Sequence, residues 1–184
     1  NNNFLMLHAS GGTTDLLFVQ KNEFGFYDLK NVGGSIDLHA GQFIDRIGVA
    51  LGLHFPTGKE LEKLAADAKE KIILPVSVNR TEISLSGPCT AALKKLQQGA
   101  ESKALALGVE ECLGETFGRI LKNGAKVHNI QDVLMVGGVA SNQHIYQVCQ
   151  KILDKENKGF ISLSKVKFAL KKSLGRKKSF IKYG

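Results

Sequence analysis

Three short stretches near the start of the chain, Phe4 to His8, Asp15 to Gln20 and Phe24 to Lys30, are rich in β-branched and aromatic residues. Ser10-Gly11-Gly12-Thr13 and Lys21-Asn22-Glu23 separate them, and this pattern predicts an antiparallel meander. After Gly33-Gly34 the period lengthens. Leu38, Phe43, Ile44, Ile47, Val49 and Leu51 fall largely on one stripe, predicting a helix over 37–51 with Ser35 or Asp37 as its cap. Gly52 stops that helix, Phe55-Pro56-Thr57-Gly58 reads as a turn, and 59–71 reads as a second helix with charges on its outer face.

Further on, 72–78 and 82–85 suggest a small hairpin, and Ser86-Gly87-Pro88 opens a helix running to about Gln98. A longer helix is expected over 101–123. Asp132 to Val136 is an apolar strand, followed by the turn Gly137-Gly138 and a helix from Ala140 to Leu153. Gly159 to Leu163 reads as one more strand; beyond Ser164 the pattern dissolves into lysines. The expected organisation is one lobe over 1–163 and a basic tail over 164–184.

The formal charge of +8 changes this picture once it is divided along the chain. Residues 151–184 carry +9 and residues 1–150 carry −1, so the globular part is close to neutral. A basic tail such as KKSLGRKK can meet tRNA phosphates by counterion release or simply be a solvated end. No apolar run approaches the roughly 20 residues of a membrane span, and the Asn-rich start lacks a signal peptide's pattern, so a cytoplasmic protein without membrane contact is expected. Cys89, Cys112 and Cys149 are far apart, without a CxxC pair or a His at ligand spacing, and read as reduced core thiols. His39, His54 and His144 read as structural or solvent-facing, and no metal ligand set is apparent.

Three constellations carry candidate chemistry. Ser10-Gly11-Gly12-Thr13-Thr14-Asp15 is either a tight hairpin turn or a loop whose N–H groups and hydroxyls receive phosphate oxygens. Val136-Gly137-Gly138-Val139-Ala140-Ser141-Asn142 passes from strand to helix; it either packs and caps that helix or lays bare backbone against an adenine or ribose, with Asn142 offering both a donor and an acceptor. Asp37, Gly41 and Asp45 are spaced by four, a shared helical face that could hold ribose hydroxyls, or else a cap plus a surface pair of Asp45 with Arg46 or Lys59. Neither GxGxxG nor GxxxxGK[ST] is present, which disfavours Rossmann and Walker folds. Nor is there a Ser/His/Asp, Cys/His or HExxH arrangement for a peptidase.

The order of these blocks resembles the tRNA threonylcarbamoyl transferase family, once called glycoproteases. Its SGGHT loop is similar to Ser10 to Thr14, its DDAAGEAFDK helix to Asp37 to Arg46, and its YPGGPxLEKLA turn to Phe55 to Ala65. Its FSFSGLKTA is similar to Ile83 to Ala91, and its AGGVAAN to Val136 to Asn142. The resemblance implies an α/β fold: an actin-like ATPase (ribonuclease H-like) half-fold, a mixed sheet with an N-terminal antiparallel meander and flanking helices. It implies ATP or threonylcarbamoyl-adenylate as ligand, with His8, Ala9, Ser10, Gly11 and Gly12 at the phosphates. It further places Asp45 and Gly58 at the sugar, and Gly137, Gly138 and Asn142 at the nucleotide. The family's divalent metal is expected too, but its HxxxH pair and late Asp have no counterpart here, and Gln42, Thr57, Lys59 and Cys89 depart from the usual Glu, Gly, Pro and Lys. Catalytic residues are therefore left unassigned. The chain is expected to be incomplete as a catalyst by itself, to work with family partner subunits or by self-association, or alternatively to be a non-catalytic interaction paralogue.

Overall fold

A computed structural model of the chain describes residues 3–155 and the backbone of 159–160. Strands β1 (Asn3–Ala9), β2 (Thr14–Lys21) and β3 (Tyr27–Ser35) form the antiparallel meander. Leu5 pairs with Phe18 and Leu7 with Leu16; Leu5, Leu7 and Leu16 are fully buried, so the two-residue alternation fixes which face meets the core. The third strand is displaced from its expected place at 24–30. Phe24 and Phe26 belong to a turn in which Asn22 Oδ1 accepts their backbone N–H groups at 3.1 and 3.0 Å. Gly33 and Gly34 lie inside the strand, not at its end, because neighbouring backbone crowds them. A methyl group at Gly33 would come 2.0 Å from Thr81 O, and one at Gly34 2.4 Å from Thr14 O.

Helix α1 (Ala40–Ala50) starts three residues later than its periodicity suggests, since neither expected cap reaches it. Its first N–H, on Ala40, is taken by the Thr14 hydroxyl of β2 at 2.8 Å, while Gln42 Oε1 accepts from His39 N at 3.2 Å. Phe43 and Ile47 are fully buried on its inner face. Helix α2 (Gly58–Ala66) is shorter than the 59–71 expected. The following apolar run packs rather than pairs: Ile72 N donates to Ala104 O at 2.9 Å and Cys112 Sγ to Pro75 O at 3.3 Å. The hairpin is therefore reduced to β4 (Ser77–Asn79) and β5 (Glu82–Ser84).

Helices α3 (Ser86–Gln97) and α4 (Ser102–Val127) follow. α4 is the spine of the core, with Leu105, Val109, Leu113, Phe117 and Ile120 fully buried. Its glycines admit close neighbours: Gly124 meets Leu5 and Leu16 of the sheet, and Gly114 meets Val148 on the last helix. Strand β6 (Asp132–Val136) falls where the sequence puts it and pairs in parallel with β1. A 3-10 turn (Val139–Ser141) then leads into α5 (Gln143–Asp154), so the expected continuous helix from Ala140 is broken at Asn142. Strand β7 (Gly159–Phe160) closes the sheet in the order β4-β5-β3-β2-β1-β6-β7. The rest of that expected strand, 161–163, and the basic tail 164–184 lie outside the described residues. Among the described residues no helix is long and apolar enough to cross a membrane. Cys89, Cys112 and Cys149 are buried and unpaired, and burial pushes the Cys112 and Cys149 thiols up to about 12, where they are inert at neutral pH.

Candidate functional site

β1 lies inside the sheet between β2 and β6, so its C-terminal end gathers three chain segments. Through β1–β2 pairing it leads into the loop Ser10 to Thr13; through β1–β6 pairing His8 lies beside Val136, which brings Gly137 against Ala9. Gly137 has φ +103°, and a methyl group there would come 2.2 Å from Ala9 O. The loop in turn sits on the start of α1: Gly41 N donates to Ser10 O at 3.1 Å, and a methyl group at Gly41 would come 2.5 Å from Gly11 Cα. Inside the loop, Ser10 Oγ and Thr13 Oγ1 are 2.7 Å apart, Thr13 N donates to Ser10 Oγ at 3.2 Å, and Thr13 Oγ1 lies 3.3 Å from His8 Nδ1. The loop hydroxyls and His8 thus brace the turn from within.

Between these segments lies a cleft of about 440 Å³, within the size range of small-molecule sites. Gly11, Gly41, Ile44 and Asp45 line it from the loop and α1; Pro56, Gly58, Lys59 and Glu62 from the turn and α2; Gly138, Val139, Ser141 and Asn142 from the far side. The two glycine pairs singled out in the sequence therefore converge on one cavity, though unequally. Gly11, Gly58, Gly138, Asp45 and Asn142 line the cleft, whereas His8, Ala9, Ser10, Gly12 and Gly137 do not and instead build or flank the loops behind it.

The two acids of the 37–46 segment part company. Asp45 lines the cleft with Oδ1 accepting from Thr57 N and Thr57 Oγ1 at 2.8 and 3.1 Å, fixing the 55–58 turn to α1; its partner is Thr57 rather than Arg46 or Lys59. Asp37 precedes the helix and shares no face with Asp45. It accepts from Ser84 Oγ at 2.6 Å, Leu85 N at 2.9 Å and Ser86 Oγ at 2.5 Å, tying the β3–α1 connection to the start of α3. Desolvation by itself would raise its pKa, but the hydrogen bonds from Ser84, Ser86, Leu85 and Leu38 win and hold the carboxyl well below the usual range.

Asn142 is the N-cap of α5, its Oδ1 accepting from Ile145 N at 2.9 Å, while Nδ2 donates to Glu110 Oε1 at 2.6 Å. Both ends of the amide therefore have protein partners: the capping alternative holds for Oδ1, while the Glu110 partner of Nδ2 was not expected from the sequence. Glu110 is 1% exposed, and its pKa is pushed up to about 7 by burial, with the nearby Glu62 adding to the rise and the Asn142 bond opposing it. Glu62 Oε1 accepts from Gln143 N at 2.9 Å. Sequence reading missed both acids, yet each had a signal. Glu110 lies three residues before Leu113 and seven before Phe117, a carboxylate on α4's apolar stripe, and Glu62 is one helical turn beyond Gly58. Among the described residues, no three His, Cys, Asp or Glu side chains cluster to hold a metal ion.

Comparison with known proteins places the architecture. Full-length HypF in its phosphate- and nucleotide-bound form aligns over 90% of this chain and 37% of its own, with TM-score 0.73 at 11% identity. Component A of the (R)-2-hydroxyglutaryl-CoA dehydratase of Acidaminococcus fermentans aligns over 90% of this chain and 58% of its own, with TM-score 0.53 at 15% identity. The shared feature is a mixed open sheet with flanking helices, a lobe of the actin-like ATPase fold. In sequence, a tRNA N6-adenosine threonylcarbamoyltransferase of Thermus thermophilus is 37% identical over 147 residues, 78% of this chain and 44% of that protein. A probable bifunctional tRNA threonylcarbamoyladenosine biosynthesis protein of Thermoplasma volcanium is 30% identical over 148 residues, 80% of this chain and 27% of that protein. This chain thus spans less than half the length of these relatives. The family described as TsaD, tRNA N6-adenosine threonylcarbamoyltransferase, matches residues 2–167, and the chain belongs to that family.

Proposed function

We propose that the cleft binds the adenosine part of an adenine nucleotide, ATP or threonylcarbamoyl-adenylate, as one wall of a threonylcarbamoyl transferase acting on adenosine in tRNA. The observation that carries this reading is the set of glycines lining the cleft from three separate segments. Gly11 and Gly138 have nothing within 4 Å of where a methyl group would stand, and Gly58 only an Ile44 carbon at 4.0 Å. Packing within the chain does not demand glycine there, whereas a flat base, a sugar and phosphates pressed against bare backbone would. In this reading the N–H groups around Gly11 and Gly12 face the phosphate or acyl-phosphate, with Lys59 supplying a positive charge. Asp45 Oδ2 takes a ribose hydroxyl, and Asn142 and Glu62 flank the nucleoside.

The transfer for which the family is named joins the N6 amine of tRNA adenosine to the carbamoyl carbon of the adenylate and releases AMP. This chain's share is to hold and orient the adenylate; partner subunits or a second copy complete the cleft, and the basic tail is the segment proposed to meet tRNA phosphates. The described residues offer no donor set for the family's metal. A second reading, a non-catalytic interaction module, draws on the exposed aromatic tip of the β2–β3 hairpin, where Phe24 is 76% and Phe26 66% exposed. Calorimetric titration of the 184-residue chain with ATP, AMP and GTP separates the two. Adenine-selective binding supports the first, and absence of binding to any nucleotide at millimolar concentration sinks it.

A further inference from the structure

We infer that Glu110 is a positioning residue for this cleft, fixing the side-chain amide of Asn142 in the orientation in which it meets the ligand. The inference rests on the nucleotide reading of the cleft. Glu110 does not line the cavity; it stands behind Asn142, on α4, and acts through it. It is the only acidic or basic side chain among the buried polar residues described, the others being Thr14, Thr57, Thr116 and Asn142. A carboxyl withdrawn so far from water persists only with a good partner, and it has one at 2.6 Å.

The geometry leaves Asn142 one way round. With Oδ1 on Ile145 N and Nδ2 on Glu110, each end of the amide faces a group of opposite hydrogen-bonding character. Turning the amide over would set its oxygen against a carboxylate oxygen and its NH2 against the Ile145 N–H, losing the α5 cap at the same moment. Nothing equivalent holds Asp45, whose Oδ2 is not committed to Thr57. Cleft polarity on the Asn142 side is therefore set from inside the core by α4, a helix from which no residue lines the cavity.

The charge state of Glu110 enters here. Ionised, it is acceptor only and matches the amide hydrogen; protonated, one of its oxygens becomes a donor and the hold on Nδ2 weakens. The charged groups around it are few. Glu62 of α2 faces it and opposes its ionisation. Glu111, next on α4, is engaged with Lys71 at 3.0 Å and with His144 of α5 at 3.3 Å. Because Glu110 titrates near 7, the hold on Asn142 changes within the physiological range.

The test follows adenosine binding by calorimetry in the full 184-residue chain across a pH unit either side of about 7, since adenosine has no group titrating in that window. Asn142 side-chain amide resonances are followed by NMR in the same samples. Glu110→Gln keeps an acceptor without a titration. It should bind adenosine as tightly as the wild type at the alkaline end, with no pH dependence, and its Asn142 resonances should stay fixed while those of the wild type shift with a midpoint near 7. Glu110→Leu should weaken binding by about five- to tenfold, the scale of one lost hydrogen bond. The inference is overturned if Glu110→Leu binds like the wild type, or if Asn142 resonances ignore both pH and substitution. If the wild type binds no adenosine, ATP or AMP, the nucleotide reading falls by itself, and the Asn142 resonances still decide whether Glu110 orients that amide. Should Glu110→Leu fail to fold, Glu110→Gln and the pH profile carry the decision.

Discussion

The two glycine turns that meet at the end of β1 look alike in sequence and differ in physics. At the β6–α5 turn, Gly137 is forced: φ +103° and Ala9 O at 2.2 Å from any methyl group leave no other residue a place. In the β1–β2 loop, Gly11 and Gly12 have nothing within 4 Å and no unusual φ to satisfy. The fold explains the first glycine and is indifferent to the others. Gly138, one residue from Gly137, falls with the indifferent group. What separates the groups is whether the space beside the residue is filled by this chain or left open, at Gly11 and Gly138 toward the cleft.

Substitutions can break or sharpen that contrast, and their expected stability costs fall in order. Gly137→Ala should cost about 3 kcal/mol or more in urea unfolding, from a strained backbone plus a collision with a carbonyl that the sheet cannot move. A cost below about 1 kcal/mol would erase the distinction. Gly41→Ala should come next at about 2 kcal/mol, because its methyl group meets Gly11 Cα and Ser10 O, at 2.5 and 2.7 Å, on a loop freer to yield. The displaced loop should also lower nucleotide affinity.

Glu110→Gln acts in the opposite direction, with a pH signature. The folded carboxyl titrates near 7 against an ordinary 4.5, so between those values the native state keeps a proton that the unfolded chain has released. Wild-type stability therefore falls as the pH rises through that window and stays low above it, while the amide variant shows no such fall. The two should coincide near pH 4 and differ by about 3 kcal/mol in the variant's favour near pH 8, read from denaturation midpoints at each pH. Smallest of all, Gly11→Ala should change stability by less than about 0.5 kcal/mol yet weaken adenine nucleotide binding by about tenfold or more. A variant that binds normally would place the ligand elsewhere.

How much of this was visible in the chain depended on whether local sequence or distant packing decided the outcome. β6 was read to the residue because a buried strand leaves an unbroken apolar run ending in glycine. The glycine blocks and their order likewise sufficed for the family and for the lobe of the fold. β3 was misplaced because Gly33 and Gly34, locally strand-breaking, answer to Thr81 in the β4–β5 turn and Thr14 at the start of β2. The α1 start was missed for the same reason, its first amide being satisfied by Thr14, 26 positions away. Asp37 and Asp45 suit a common face on spacing alone, and only the late start of the helix sends Asp37 to α3. Of the site, the cleft's glycines, Asp45 and Asn142 were legible; the Glu110–Asn142 pair was not, since it joins residues 32 apart.

The parallel pairing of β1 with β6 has a consequence for synthesis. Leu5 meets Val133 in that ladder, so a ribosome has released this interior strand well over a hundred codons before its second neighbour exists. At ordinary elongation rates that interval is on the order of 10 seconds. Throughout it, a strand with Leu5 and Leu7 destined for the core presents an open row of unpaired amides and carbonyls, the kind of edge that captures other chains. Chaperone demand on this protein should therefore rise once β1 has emerged and end abruptly when the segment around Met135 emerges.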